Sequence, residues 1–568
     1  MPARKADSVA TAYLALLADR GVDYLFGNAG TDFAPIVEAY AEAEQKGTRV
    51  PQPILATHEN LAVTMAHGYA MVSRKIPAVM VHVSVGTANM ICAAMNAARE
   101  NVAILLTAGR SPITEAGLLG ARDGYIHWAQ EMYDQAGMIR ELVKWDYELR
   151  NGEQLETVVD RALSIAGTEP RGPVYLSLPR EVIAARAAGS GHRKSTRLRI
   201  AAPAAPDGDA VAEAARMIVK AKNPLILTAS AGRDPAAFAA LARFADRFAV
   251  PVAQFHPRYL SLPSSHPMNL GYDPTSLVAD ADLILAMEID VPWIPAHVAP
   301  PEACKVIQCG FDPLFAHIPI RGFACDLGIT GATAAILQAL TDALEKEVAD
   351  KAVAERRAGI TKKSAALATD WARTCELVSE RRPIHPAWVS HCLHKAKDPH
   401  SIVVNEYTLR LTHCGFEYPD SYFGSSSASG LGWGPGAALG AKLAAPDRPV
   451  IAVVGDGAYL FSNPAAVHHA AALHDLPVLF IVMNNAMWNA VRHFTTAMYP
   501  NGRASKRNDS PFTRLDRLPA FEQICIAAGG YGERVEDPAE LPAALERAIA
   551  VVTREKRQAL LNVMCSVE

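Results

Sequence analysis

Residues 451–487 read IAVVGDGAYLFSNPAAVHHAAALHDLPVLFIVMNNAM. The apolar run Ile451 to Val454 predicts a buried strand and Gly455-Asp456-Gly457 a turn. The Ala/His segment predicts a helix, and Val478 to Met483 a second buried strand that stops at Asn484-Asn485. Short, wholly apolar strands joined by a helical crossover indicate a parallel βαβ unit. Ligands of such sheets bind at the carboxyl ends of the strands. Here those ends carry a carboxylate, Asp456, and an amide, Asn485, 29 positions later. If the strands are neighbours, the two oxygens meet and form a typical Mg²⁺ site, since Mg²⁺ prefers octahedral oxygen and shares its ligands with phosphates. The small residues around Asp456, Gly457 and Ala458, let backbone N–H groups at the helix start approach an anion. Taken singly, Gly-Asp-Gly is an ordinary turn and Asn-Asn an ordinary strand terminator. At opposite ends of one βαβ unit the pair is far more specific.

With both ends in place, the sequence resembles the thiamine-diphosphate enzymes of the acetolactate synthase, benzoylformate decarboxylase and pyruvate decarboxylase group. Their signature is GDG, a crossover, then NN. The spacing here is slightly longer than is usual in that family, which places extra length after Phe461. The resemblance implies thiamine diphosphate and Mg²⁺ as cofactors. It makes Asp456, Asn485 and the Met487 carbonyl the metal's protein ligands, with Gly457 and Ala458 at the cofactor.

A chain of 568 residues is too long for one core and suggests three or four domains. Half its residues are hydrophobic and the formal net charge is −4, which favours neither nucleic acid nor an acidic membrane surface. No apolar run is long enough to span a bilayer. The opening residues MPARKADSVATAYLALLADRG form an amphipathic helical pattern, which Asp7, Asp19 and Arg20 separate from a signal peptide. Nine dispersed cysteines without C-x-x-C pairs suggest reduced thiols and a cytoplasmic protein.

Residues 1–188 are expected to form a first α/β domain. The strand VDYLFG leads to Gly27-Asn28-Ala29-Gly30-Thr31; the extended PILATHEN precedes a helix from Leu61 to Ser73. The strand AVMVHVSVG, a helix opening at GTANM and the strand VAILLTAG follow. Glu59 stands where strand becomes helix, a place the helix dipole favours for any carboxylate. The resemblance adds a role. The family pattern HE-x-x-A-x-x-x-A-x-GYA is matched by His58-Glu59, Ala62, Ala66 and Gly68-Tyr69-Ala70. It implies that Glu59 hydrogen-bonds the aminopyrimidine ring, whose imino nitrogen then removes the thiazolium C2 proton. A lone histidine in an apolar strand is ordinarily a core residue. The resemblance instead implies that His82 is a general acid/base near the substrate carbonyl. Gly30-Thr31 match the place where benzoylformate decarboxylases have a serine near the substrate carboxylate, and an N-cap role for Thr31 is equally compatible. The segment LVKWDYEL…EPRGPVYLSLP, residues 142–179, is also similar to the family.

Residues 189–209 are polar, basic and then Pro/Ala-rich, and read as a linker. Residues 205–345 are expected to form a middle domain with strands PLILTA, PVAQF, LILAM and KVIQC. Some family members bind FAD there. Only one glycine stands in Ala229 to Arg233, without a dinucleotide fingerprint, so FAD is allowed but not favoured. Relatives sometimes contribute a middle-domain histidine to the site; His256, His266 and His297 all fall in loops, and the sequence does not choose among them. A charged helix over 344–373 leads to a third domain, 380–568. Its first strand ends in Asn405-Glu406-Tyr407-Thr408, where the family's diphosphate contacts lie. In SSSASGLGWGPG, Gly430 and its neighbours permit close backbone approach. Leu431 takes the family's place for an apolar wedge that bends the cofactor. Residues 488–511 start helical and become a polar loop.

The expected fold is thus α/β, three doubly wound parallel sheets. The expected activity is making or breaking the C–C bond beside a carbonyl. FGNAGT, His82 and KWDYEL lean towards a 2-oxo acid decarboxylase of the benzoylformate decarboxylase type with carboligase ability. An acetolactate synthase-like carboligase and a 2-hydroxyacyl lyase are the alternatives. The adjacent histidines of pyruvate decarboxylases do not occur in the first domain; His468-His469 lie on the crossover, where packing or solvent contact is the simpler reading. A catalytically inactive relative would have lost Glu59, Asp456 or Asn485, and all three are present. A flavin or nicotinamide oxidoreductase would need a G-x-G-x-x-G after a strand, which is not found in that position. The family's active sites lie between subunits, implying a homodimer or homotetramer.

Overall fold

The computed structural model describes residues 8–187, 198–345, 347, 350–507 and 510–567. Residues 188–197, which include the first part of the expected linker, lie outside the described residues, as do 508–509 of the polar loop after Met487. Three parallel sheets follow one another along the chain. The first comprises β1 (Tyr24–Gly27), β2 (Gln52–Leu55), β3 (Ala78–Val81), β4 (Leu105–Arg110), β5 (Asp146–Glu148) and β6 (Val174–Pro179), in the order β2-β1-β3-β4-β6-β5. The second comprises β7 (Pro224–Thr228), β8 (Val252–Gln254), β9 (Leu283–Met287), β10 (Lys305–Gly310) and β11 (Leu327–Thr330), in the order β11-β10-β9-β7-β8. The third comprises β12 (Ile402–Glu406), β13 (Tyr422–Gly424), β14 (Val450–Gly455), β15 (Val478–Asn484), β16 (Tyr531–Val535) and β17 (Ala559–Met564), in the order β13-β12-β14-β15-β17-β16. All pairings between these strands are parallel.

Central strands such as β3 and β15 are buried along their whole length, so helices must cover both faces. The first and third sheets share one winding, with a switch point where the first strand of each lies beside its third. Ligands of open α/β sheets bind at that point, beyond the carboxyl ends of the strands. Between β1 and β3 it holds Gly30, Thr31 and His82; between β12 and β14 it holds Thr408 and Asp456.

Several boundaries differ from the expectation. The strand read over AVMVHVSVG ends at Val81, and a helix runs from Val83 to Arg99 with His82 at its cap position. The reason is long-range: the Asp32 carboxylate, 51 residues away, accepts the Val83 N–H at 3.3 Å, and Val83 sits at a φ of 31°. The turn expected at Gly455-Asp456-Gly457 does not form; β14 runs into Gly455 and a helix, Asp456–Phe461, starts at once. The crossover is two helices, that one and Pro464–Leu473, and the Glu59 helix begins at Glu59 itself. Gly30, not Thr31, occupies the cap of the short helical turn Thr31–Phe33, so Thr31 makes no N-cap bond. The charged connector is the helix Asp350–Val378, separate from the preceding Thr333–Leu344. No described helix is long and apolar enough to cross a membrane.

The first and third sheets share a single core, in which Leu61, Met65 and Tyr69 meet Trp433, Ala437 and Val454. Its centre is the contact between the Glu59 helix (Glu59–Ser73) and the Trp433 helix (Trp433–Ala444). Glycines let the backbones touch: a Cβ on Gly68 would run into the Ala437 carbonyl, and one on Gly440 into the Met65 carbonyl. His67 lies wholly buried there, its ring edge-on to Trp433 at 5.6 Å, and neither ring nitrogen has a partner among the described residues. Burial pushes its pKa down to about 3, and that of the buried His468 down to about 4. In the unfolded chain both titrate near the usual value of about 6.5. Between pH 6.5 and 4 the unfolded state therefore binds protons that the folded state refuses, and stability falls as pH falls. Full stability from these two groups is expected above about pH 6.5, with a loss approaching about 1.4 kcal/mol per pH unit for each histidine below it. Urea unfolding from pH 7 to 4.5 should show a drop in midpoint that is shallower in His67→Leu.

Candidate active site

The Asp456 carboxylate is buried at the carboxyl end of β14. Gly455 pairs with Met483, so β14 and β15 are neighbours and the loop 485–487 closes over Asp456. Asp456 Oδ1 accepts the Gly457 N–H at 2.8 Å, and the backbone N–H groups of Asn485, Ala486 and Met487 face the carboxylate. Burial nevertheless pushes this carboxyl above the usual carboxylate range. Its Oδ2 is buried and has no hydrogen-bond partner among the described residues. A buried anion with an unused oxygen is costly unless a cation or a donor meets it. Asn485 lies on the same loop, its Oδ1 accepting the Met487 N–H at 3.0 Å. The donor set is oxygen-rich and suits a hard cation such as Mg²⁺. Beside it, the buried Thr408 Oγ1 also has no partner among the described residues, and a Cβ on Gly457 would overlap the Trp488 ring, so only glycine leaves that approach open.

Asn405 stands just before the end of β12 with its side chain engaged. Its Nδ2 donates to the Tyr422 hydroxyl at 3.1 Å and its Oδ1 accepts the Leu409 N–H, so its side chain braces the turn after β12. The neighbouring Glu406 carries no signal of its role in the sequence. It is buried, and its two oxygens accept the N–H groups of Gly432 and Gly434 at 2.8 and 2.7 Å. Burial pushes its pKa up to about 7, opposed by those backbone donors at the start of the Trp433 helix. Gly430 is held twice by Asn96 of the first domain, donating its N–H to Oδ1 at 3.0 Å and accepting from Nδ2 at 2.8 Å. Leu431 stands half-buried between these two clamps, before Gly432 at a φ of 84°.

On the first sheet, Glu59 is buried at the first position of its helix and accepts a hydrogen bond from Asn89 Nδ2 at 3.0 Å. His82 lies under Gly30: a Cβ there would fall on the imidazole. His82 Nδ1 is 2.6 Å from Asp32 Oδ1, and Nε2 is 3.3 Å from Gln130 Nε2. The carboxylate favours the proton on Nδ1, leaving Nε2 to accept from the Gln130 amide. Asp32 directly follows Gly30-Thr31, yet nothing in the sequence links it to a histidine 50 residues on. Of His256, His266 and His297, the first lines a cavity of about 600 Å³ together with Asn405, Tyr407 and Ser425–Ser427, and the other two do not.

Three family models match the chain in succession: the N-terminal thiamine pyrophosphate binding domain over residues 7–138, the central domain over 211–340, and the C-terminal thiamine pyrophosphate binding domain over 406–563. The chain belongs to the thiamine pyrophosphate enzymes. Benzoylformate decarboxylase of Pseudomonas aeruginosa is 27% identical over 96% of this chain and 97% of that protein. A sulfoacetaldehyde acetyltransferase of Castellaniella defragrans is 25% identical over 98% and 93%. A probable acetolactate synthase of Mycobacterium bovis is 26% identical over 93% and 91%. Among solved structures, benzoylformate decarboxylase of Polynucleobacter necessarius superposes with a TM-score of 0.79 at 21% identity, covering 99% of both chains, which shows the shared fold. This thiamine pyrophosphate enzyme is therefore of the decarboxylase and carboligase superfamily, with three parallel-sheet domains.

Proposed function

We propose that this enzyme is a 2-oxo acid decarboxylase of the benzoylformate decarboxylase type, with carboligase ability, using thiamine diphosphate and Mg²⁺. The observation that carries the reading is the placement of His82, held by Asp32 and facing Gln130, beside Gly30 at the switch point of the first sheet. When bound, thiamine diphosphate supplies the electron sink that a 2-oxo acid needs to lose CO₂. Asp456, Asn485 and the Met487 carbonyl would hold the metal, and Gly457, Ala458 and Thr408 would meet the diphosphate. Leu431 would wedge the cofactor, and Glu59 would hold its aminopyrimidine ring. Gly30 and Thr31 offer backbone and hydroxyl groups to a substrate carboxylate. His82 Nε2 is placed to move a proton at the substrate carbonyl oxygen.

The site is proposed to lie between two copies of the chain, in a homodimer or homotetramer. Aromatic residues stand exposed beside each half: Tyr125, Trp128 and Tyr133 flank Gln130, and Phe494, Tyr499 and Phe512 follow Met487. Large exposed apolar groups around a site support a partner surface. Nine free thiols support a reducing, cytoplasmic setting.

The test is CO₂ release from benzoylformate and from pyruvate with thiamine diphosphate and Mg²⁺, in wild type and His82→Ala. Release from benzoylformate that falls about 10²- to 10⁴-fold in the variant is expected. Conversion of pyruvate to a 2-hydroxy ketone, with benzoylformate untouched, would replace this reading by the acetolactate synthase-like one.

A further inference from the structure

Beneath the loop that closes over Asp456 runs a line of buried polar side chains that the proposed chemistry does not use. Asn484 ends β15, and Asn562 lies on the neighbouring β17 in register with Val482. Residues two apart on a strand face the same side of the sheet, so the two amides can meet. Glu522 comes from the helix Phe521–Ala527, which is pressed onto β16 where a Cβ on Gly532 would strike the Glu522 carbonyl. All three side chains are buried.

Their hydrogen bonds run in one direction. Asn484 Oδ1 accepts the Ala486 N–H at 3.0 Å, and Asn484 Nδ2 donates to Asn562 Oδ1 at 3.1 Å. Asn562 Nδ2 in turn donates to Glu522 Oε2 at 2.8 Å. Both ends dictate the same order. A backbone N–H only donates, so the Asn484 oxygen faces Ala486 and its nitrogen faces Asn562. The Asn562 nitrogen is then left pointing away from the loop, and an ionised carboxylate, which only accepts, meets it. A buried polar chain satisfied at every link is rigid, whereas one broken link leaves a buried group unpaired.

The loop is one that needs holding. Ala486 sits at a φ of 52°, a left-handed conformation that costs any residue with a Cβ. Its carbonyl accepts the Leu515 N–H at 2.9 Å, and the Thr513 carbonyl accepts the Trp488 N–H at 2.7 Å. Those bonds fasten the loop to residues 513–515; the Asn484 amide fastens it to the sheet. The Asn485 side chain, whose Oδ1 accepts the Met487 N–H, takes its orientation from the loop so held.

We propose that Glu522 is a positioning residue for the loop 485–487, acting through Asn562 and Asn484 to hold Asn485 and Met487 in the shape that would bind the metal beside Asp456. The metal part of this inference rests on the function proposed above; the holding of the loop does not.

Asn562→Asp sets a second carboxylate against Glu522, and neither donates to the other while both are ionised. Adding Glu522→Gln restores a donor opposite the new carboxylate, which still accepts from Asn484 Nδ2. Deuterium exchange across 484–488 is followed in the apoprotein, and thiamine diphosphate with Mg²⁺ is titrated into each variant. In Asn562→Asp, exchange confined to 484–488 should be about tenfold faster and cofactor binding about tenfold weaker, the scale of one lost charge-assisted hydrogen bond. The double variant should return both to within about threefold of wild type, because the two positions are coupled. Unchanged exchange and affinity in Asn562→Asp would overturn the proposal, and so would a double variant with a wild-type thermal midpoint but no recovery of either. Faster exchange spread over β15 to β17 with unchanged affinity would overturn it too, since that is a purely structural role. If Asn562→Asp does not fold, Glu522→Ala decides on the same two readouts: it opens the chain at its outer end and adds no buried charge. If the wild type binds no thiamine diphosphate with Mg²⁺ present, the functional reading fails, and exchange at 484–488 alone decides whether Glu522 holds the loop.

Discussion

Glu59→Gln is expected to lower turnover about 10²- to 10⁴-fold, the range a positioned proton-transfer group supplies. Glutamine keeps the size, the helix-start position and an oxygen that can accept from Asn89, so the surroundings of residue 59 persist. What is lost is the carboxylate's ability to take and return a proton. The helix start also loses a favourable charge, an effect of about 0.3–1 kcal/mol, too small to unfold the protein. Cofactor affinity should stay within about tenfold, so the loss appears in kcat with little change in KM. The check is steady-state kinetics beside thermal unfolding of the apoprotein. Full turnover in the variant would remove Glu59 from the chemistry.

The second large effect concerns the helix pair at the core of the first and third domains. Gly68→Ala places a methyl against the Ala437 carbonyl, which belongs to backbone and cannot swing away. Forcing extra volume into such a contact costs about 1–3 kcal/mol or more. That outweighs the gain of up to about 1 kcal/mol that alanine brings over glycine within a helix. Gly440→Ala meets the Met65 carbonyl and should behave alike. Gly359, in the long connector helix with open space where its Cβ would lie, is the control. There the same substitution should raise stability by about 0.5–1 kcal/mol. Denaturant unfolding of the three variants checks this; equal and small effects would show that the helices do not touch as described.

The parallel βαβ unit is legible at residues 451–487 because burial on both faces writes itself as unbroken apolar runs. Asp456 and the 485–487 loop can be paired from the sequence, since consecutive parallel strands place their ends together. The pairings that hold the site are not legible. Asp32 and His82 are 50 residues apart, and Asn96 and Gly430 are 334 apart. His82 reads as mid-strand because Val83 and Val85 continue the apolar pattern; the Asp32 carboxylate overrides that local preference and starts a helix. Nor is it legible that the Asn405 amide meets Tyr422 and the Leu409 N–H. Glu406 beside it accepts the N–H groups of Gly432 and Gly434 at the start of the Trp433 helix, a pairing across 26 and 28 residues that no local pattern announces. That His256 lines a cavity with Asn405 and Tyr407 is visible only in the folded chain.

Binding of thiamine diphosphate at Asp456 is measured by calorimetric titration of the apoprotein, with and without Mg²⁺, in wild type and Asp456→Ala. One binding event per chain is expected, requiring Mg²⁺ and lost in the variant, because the buried Asp456 Oδ2, without a partner among the described residues, is where the metal would bind. Binding of equal strength in the variant, or no binding by wild type with the metal present, would contradict that placement.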